Sequence, residues 1–204
     1  MSERYLIPSV ECVVEEEIKH SRFISILFHC PEPQMMKTQL ASIKHLYPGA
    51  NHYCYAFVCG EPKSTLSSGF SDDGEPSGSA GKPMLAHLQG CNIGEVGAIV
   101  VRYFGGTKLG VGGLVRAYSS GVRQGLKTIE TMTKQLRYPA FLECEYGQLI
   151  DVEYFLSQYD AVIEDKQFTD KVKVSFAIAK AFKHDLNRDL ATISQGSLVA
   201  DFSH

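Results

Sequence analysis

The 204-residue chain is 44% hydrophobic and 21% charged, which excludes disorder as its main state. Its net charge of −3 and pI near 6.2 exclude a histone-like or tail-driven nucleic-acid binder, although a local basic patch stays open. No apolar run approaches the roughly 18 residues of a membrane span, and Met1-Ser2-Glu3-Arg4 lacks secretory-signal order, so a cytoplasmic protein with no membrane partner is expected.

In chain order, Val10, Cys12 and Val14 alternate with polar residues as on a half-buried strand. Arg22–His29 reads as an apolar strand. From Pro33 to Tyr47 a helix is predicted, with Met36, Leu40 and Ile43 at helical spacing and Pro48-Gly49 as its stop. Tyr53–Cys59 is strand-like, residues 61–81 form a long polar loop, and Pro83–Leu88 is a short helix. Gly97–Tyr103 reads as a buried strand, Gly105–Gly113 as a glycine-rich loop and Leu114–Lys127 as a helix. Strands then follow at Leu136–Glu145, Ala161–Gln167 and Val172–Ile178, with helices at Gln148–Gln158 and His184–Ile193 and a short strand at Leu198–Phe202. The last 70 residues therefore have the βαββαβ order of a ferredoxin-like domain.

Charge and glycine divide the chain in the same place. Fifteen of the 18 glycines lie between Gly60 and Gly125. Residues 1–133 carry 12 cations and 12 anions, whereas residues 134–204 carry 8 and 11. Two domains, 1–133 and 134–204, are expected, giving an α+β class. Six cysteines, at 12, 30, 54, 59, 91 and 144, form no CxxC, so reduced, buried thiols are favoured over a zinc or redox centre.

Two segments carry possible chemistry. In the first, Asp72, Asp73 and Glu75 fall within four positions ahead of Gly81-Lys82. Carboxylates this close can hold Mg²⁺, with His52 and His87 as conceivable further ligands, or they can be ordinary turn residues. The second runs from Arg102 through Gly105, Gly106, Lys108, Gly110, Gly112 and Gly113 to Arg116. Glycines let the backbone approach a ligand, and a helix start favours an anion such as phosphate. Arg116, Arg123 and Lys127 share one helix face, with Ala117, Gly121 and Gly125 opposite as a stripe for close packing. The stretch from Val96 to Ile129 holds five cations and no acid. Neither nucleotide fingerprint fits: Pro76 and Pro83 break the Walker pattern around Gly81-Lys82, and Val115 replaces the last glycine of the dinucleotide pattern. Tyr53, Tyr55, Tyr103, Phe104 and Tyr118 flank both segments, as core residues or as platforms for bases. No GxSxG elbow or HExxH is present, and the sequence assigns no catalytic residue.

The blocks Ser71-Asp72-Asp73-Gly74-Glu75-Pro76, Ala80-Gly81-Lys82-Pro83 and Val101 through Tyr118 closely resemble the motif of the IMPACT family, with His52-Tyr53-Cys54-Tyr55-Ala56 as a further block. Ser79, where threonine is expected, and Lys82, at a variable place, are small departures. The whole chain looks like the family's bacterial branch. The resemblance implies a ribosomal-protein-like βαβ domain with a left-handed crossover, similar to the second domain of a small-subunit ribosomal protein. It also implies a ferredoxin-like C-terminal domain resembling the last domain of elongation factor G. Eukaryotic members act in translational control, and the family supplies no established catalytic residue to carry over.

The leading expectation is a binding protein in translation or its regulation, not an enzyme. It contacts RNA, the ribosome or a translational GTPase through Arg102, Lys108, Arg116, Arg123 and Lys127, which position phosphates without reading sequence. The alternative is an enzyme or binder of a small phosphorylated ligand or nucleotide at Gly105–Gly113, with a divalent ion at Asp72, Asp73 and Glu75. A third is a protein–protein adaptor in which both loops are structural.

Overall fold

The apolar run Val96–Val101 has no polar face, so a strand built from it must be covered on both sides. In the computed structural model, which describes residues 3–202, it is the middle strand of a five-stranded sheet. The chain forms two compact units, Tyr5–Lys134 and a second built from Gln135 onward with Glu3 and Arg4.

The first unit contains β1 (Arg4–Pro8), β2 (Cys12–Ile18), β3 (Ser21–His29), α1 (Pro33–Leu46), β4 (His52–Val58), β5 (Ser68–Ser71), α2 (Gly81–Gly90), β6 (Val96–Tyr103), α3 (Val111–Thr128) and β7 (Thr131–Gln135). The sheet order is β2-β3-β6-β4-β5, and β6 pairs antiparallel with both β3 and β4. Those two strands therefore run parallel to each other, with α1 as the crossover between them. Met36 and Ile43 of α1 cover one face of the sheet, over Ile24, Ile26, Ile99 and Val101. On the other face α2 and α3 bury Met84, Leu88, Ala117, Tyr118 and Val122 against Phe23, Leu27, Ala56 and Val100. Each large side chain so buried stabilises by about 1.5–3 kcal/mol.

The small stripe of α3 decides how close that helix comes. A Cβ at Gly121 would stand 2.1 Å from Ser25 Oγ, and one at Gly125 would stand 2.6 Å from Leu27 Cδ1. Glu95 sits just before β6 and is almost fully buried. Tyr5 Oη (2.8 Å), His29 Nε2 (2.6 Å) and Lys134 Nζ donate to its carboxylate. Burial opposes the charge, but these donors overcome it and hold Glu95 below the usual carboxylate pKa.

The second unit contains β8 (Tyr138–Cys144), α4 (Leu149–Gln158), β9 (Val162–Phe168), β10 (Val172–Ile178) and α5 (Lys183–Ser194). Its antiparallel sheet has the order β8-β10-β9. Val172, Val174, Phe176 and Ile178 point inward at alternate positions and pack with Val152, Leu156, Leu186 and Leu190 of the two helices.

The elements differ from the sequence reading in identifiable places. The 61–81 loop contains β5, an edge strand paired to Tyr55–Val58. The Leu198–Phe202 strand reduces to a single bridge, Asp201 to Phe141. Both glycine-led helices start earlier than predicted, α2 at Gly81 and α3 at Val111, so the second loop ends at Gly110. Pro83 falls in the first turn of α2, where a missing N–H costs nothing. Strands β1 and β7 pair with each other, and the sequence reading had neither.

Candidate functional site

The acidic loop is organised by its own carboxylates. Asp72 Oδ1 accepts from the N–H groups of Ala80 (3.0 Å) and Gly81 (2.8 Å), and Oδ2 from Gly78 N–H (2.8 Å). This folds the segment back on itself and satisfies the start of α2. Asp73 Oδ2 accepts from Tyr53 N–H at 2.6 Å. The Asp73 carbonyl accepts from His52 Nδ1 at 2.8 Å, which leaves His52 Nε2 as the ring's acceptor in its neutral form. That nitrogen is 3.9 Å from Glu75 Oε1.

Glu75 is buried, its side chain only 4% exposed. Its Oε1 receives Arg102 Nη1 at 2.5 Å and the Tyr118 hydroxyl at 2.8 Å. The Arg102 guanidinium lies 5.4 Å from the Phe23 ring centroid and 5.5 Å from that of Phe104. Its Nε is buried without a hydrogen-bond partner among the described residues. Burial, reinforced by Cys54 and Glu75, raises the Tyr118 phenol far above its usual pKa, so it serves as a hydrogen donor. Burial likewise pushes the Cys54 thiol up to about 12, and its Sγ donates to the Asp72 carbonyl at 3.0 Å. A thiolate nucleophile at this position is excluded.

Two expectations are corrected here. Asp72, Asp73 and Glu75 do not converge as a Mg²⁺ site: each carboxylate is committed to a different protein donor. Among the described residues no group of three His, Cys, Asp or Glu side chains is placed to hold a metal, and His52 and His87 do not complete one. Arg102 is not a surface cation waiting for phosphate, since it is 5% exposed and neutralises Glu75.

The glycine loop is set by close approaches at one end and by backbone handedness at the other. At Gly105 a Cβ would lie 1.9 Å from the His20 carbonyl oxygen. Gly105 N–H donates to Ser21 Oγ, and Phe104 N–H to Asn51 Oδ1. Gly110 has φ of +74° and precedes α3, whose first intrahelical bond runs from Leu114 N–H to the Gly110 carbonyl. The helix has no side-chain cap and no acid in its first turn, so the N–H groups of Val111, Gly112 and Gly113 sit at an uncompensated positive end.

The two loops meet. Glu75 and Pro76 of the first, with Lys108, Leu109 and Gly110 of the second, line one cavity of about 450 Å³ that includes His52 and Arg102. A second cavity of about 480 Å³ begins on the other side of Leu109 and is lined by Lys19, Arg116, Ser119, Ser120 and Arg123. Arg116, Arg123 and Lys127 are all exposed on α3, as is Lys108 in its loop, and none has an ion-pair partner among the described residues. Glu16 lies behind α3, taking a 2.8 Å bond from Ser120 Oγ. Lys82, also exposed, occupies the first turn of α2 and lines neither cavity.

A family model described as the Impact N-terminal domain matches residues 19–126, and one described as a domain of unknown function (DUF1949) matches residues 142–197. An IMPACT family member of Haemophilus influenzae is 45% identical over 195 residues, covering 96% of this chain and 95% of its own. The chain belongs to the IMPACT family. The IMPACT family member YigZ of Escherichia coli is 44% identical over 196 residues, 96% of each chain. A solved crystal structure described only as a hypothetical protein superposes with a TM-score of 0.82 at 42% identity, covering 100% of this chain and 99% of that one. Both loops of this IMPACT protein lie inside the matched N-terminal domain.

The sequence reading did not anticipate the Glu75–Arg102–Tyr118 cluster, or Asn51 and Lys19 as lining residues. One signal was available. On a strand buried on both faces, Arg102 shares its side with Val100 and Ala98, and a cation there demands a buried carboxylate.

Proposed function

We propose that this protein is a cytoplasmic RNA-binding protein of translation or its regulation, holding RNA phosphates on the basic face of α3, on the ribosome or beside a translation factor. The observation that carries the reading is the clustering of Lys19, Arg116 and Arg123 around one 480 Å³ groove. Lys127 continues the same helix face. Unpaired, exposed cations contact phosphates without first breaking an internal ion pair, and Ser119 adds a hydroxyl donor. Family membership supports the link to translation.

The fold readings belong to the same proposal. A ribosomal-protein-like N-terminal domain, residues 1–133, is supported by the β3–α1–β4 crossover with β6 between its two strands. A ferredoxin-like domain, residues 134–204, is supported by the order β8-α4-β9-β10-α5 and by Asp201 bridging to the free side of β8.

The test is titration with single-stranded RNA, duplex RNA and ribosomes over a range of salt. Four phosphate contacts give a slope of roughly −3 in log K against log salt for a single strand. Arg116→Glu with Arg123→Glu should abolish most of the affinity and flatten the slope. Unchanged binding by this folded double variant refutes the proposal.

A further inference from the structure

We propose that the 450 Å³ cavity between His52 and the start of α3 binds a hydroxyl-bearing phosphate monoester, of the size of a pentose phosphate or a single nucleotide. The cavity has opposite polarity at its two ends. At one end stand Lys108 and the positive N-terminus of an 18-residue helix that carries no acid and no side-chain cap in its first turn. At the other end stand Glu75 and His52, whose Oε1 and Nε2 are 3.9 Å apart. His52 gives its Nδ1 proton to the Asp73 carbonyl, so in its neutral form both facing groups accept hydrogen bonds.

A phosphate placed beside Glu75 would face a buried carboxylate whose one nearby cation, Arg102, is already paired with it. The same phosphate beside Lys108 and the α3 N–H groups would meet two sources of positive potential. The anion therefore goes to the loop end, and hydroxyl donors go to the Glu75–His52 end. A hydroxyl-poor anion would leave His52 Nε2 without a donor, whereas Glu75 Oε1 keeps those of Arg102 and Tyr118.

Arg102 marks the same wall independently, although its Nε is fully enclosed, so an occupant reaches it only after a shift of that side chain. It lines the cavity, is 95% buried and has an unpartnered Nε, although Nη1 is satisfied by Glu75. Unsatisfied buried donors are uncommon in folded proteins and need a reason. The walls between the two ends are Pro76, Phe104 and Leu114, which suit the carbon face of a sugar or a base. Phe104 is 45% exposed, a high value for an aromatic residue that fills no core. The volume falls in the range of about 300–1,000 Å³ usual for small-molecule sites.

The experiment is calorimetric titration of the full chain with ribose 5-phosphate, adenosine 5′-monophosphate, ribose and inorganic phosphate. Ribose 5-phosphate should bind saturably and at least about tenfold more tightly than ribose or inorganic phosphate, since each of those engages one end only. The exposed substitution Lys108→Glu should weaken it about tenfold or more, as should His52→Ala. Phe104→Ala, also at an exposed residue, provides a third variant expected to fold. Arg116→Glu with Arg123→Glu removes the RNA groove and should leave ribose 5-phosphate affinity within about twofold, so failure of the RNA reading and failure of this one are separable. The source is resolved by competition. A short RNA with a 5′-phosphate that displaces ribose 5-phosphate, when its 5′-hydroxyl counterpart does not, identifies an RNA end as the occupant and supports the site. Displacement by adenosine 5′-monophosphate alone identifies a free nucleotide and supports it equally. Absence of saturable binding by both phosphate esters, equal affinity for inorganic phosphate and ribose 5-phosphate, or indifference to Lys108→Glu each overturns the proposal.

Discussion

Asp72→Ala tests whether the acidic loop is architecture. The side chain accepts three main-chain N–H groups, two of them at the start of α2. Hydrogen bonds to a charged acceptor contribute about 1.5–3 kcal/mol each, but a partly exposed loop lets water replace some of them. A net loss of about 2–4 kcal/mol is expected, at or above the strongest helix-cap losses of about 2 kcal/mol because three N–H groups are involved. Asp72→Asn separates charge and geometry. Its amide oxygen can stay at the Oδ1 position and keep Ala80 and Gly81, while its NH₂ then faces the Gly78 N–H as donor against donor. Its cost should be about half that of alanine. Calorimetry of the full chain is the assay, with the transition of the first unit followed separately because two cores need not unfold together. A fall of roughly 5–15 °C is expected for alanine, and hydrogen exchange at the α2 amides should rise with it. Asp72→Ala within about 0.5 kcal/mol of the parent would show that the loop does not depend on these bonds, and Asp72→Asn as damaging as alanine would refute the division between Oδ1 and Oδ2.

Arg102→Met strands Glu75 without its cation and should cost about 3–5 kcal/mol in urea denaturation, much of it recovered when Glu75→Leu is added. Gly121→Ala drives a methyl onto Ser25 Oγ and should cost about 1–3 kcal/mol. By contrast Gly112→Ala, with nothing within 4 Å, should gain up to about 1 kcal/mol from helix propensity. Glu95 has a lowered folded pKa against a reference of 4.5, so its contribution is full above that reference and is lost as pH falls through the folded value. Melting temperature should drop steeply below about pH 4.5 in the parent, while Glu95→Gln starts lower at neutral pH and varies less in acid.

The long periodic segments were legible because one physical effect dominates each. Val172–Ile178 alternates because one face is buried and the other is not, and α3 shows its apolar stripe over 18 residues. The short edge strands were hidden. β5 is Ser68-Gly69-Phe70-Ser71, four residues with little to bury, and it exists through its backbone bonds to β4. β7 (Thr-Met-Thr-Lys-Gln) is held by its pairing with β1, a partner more than 120 residues away. In the candidate site, the types of residue were visible but their pairings were not. Asp72, Asp73 and Glu75 look alike on the page, yet one caps a helix, one holds a strand end and one neutralises a buried arginine. Position in space, set by long-range packing, decides among those three fates.

The pairing of β1 with β7 also has a consequence for the order of events during synthesis. Residues 4–8 leave the ribosome ahead of the sheet they join, but Ser9 N–H needs the Glu130 carbonyl and Gly94 N–H needs the Leu6 carbonyl. The first strand thus stays without any partner until Gly94 has been made, and without the rest until Glu130. The middle of the five-stranded sheet has a shorter version of the same wait, because β3 and β4 have no shared neighbour before β6 emerges. Such non-local closures are slow and leave apolar strands open in the interim. A nascent chain stalled before residue 96 would hold Phe23, Ile24, Ile26 and Leu27 with nothing to cover one edge, and it is at that length that a chaperone should crosslink to it most strongly.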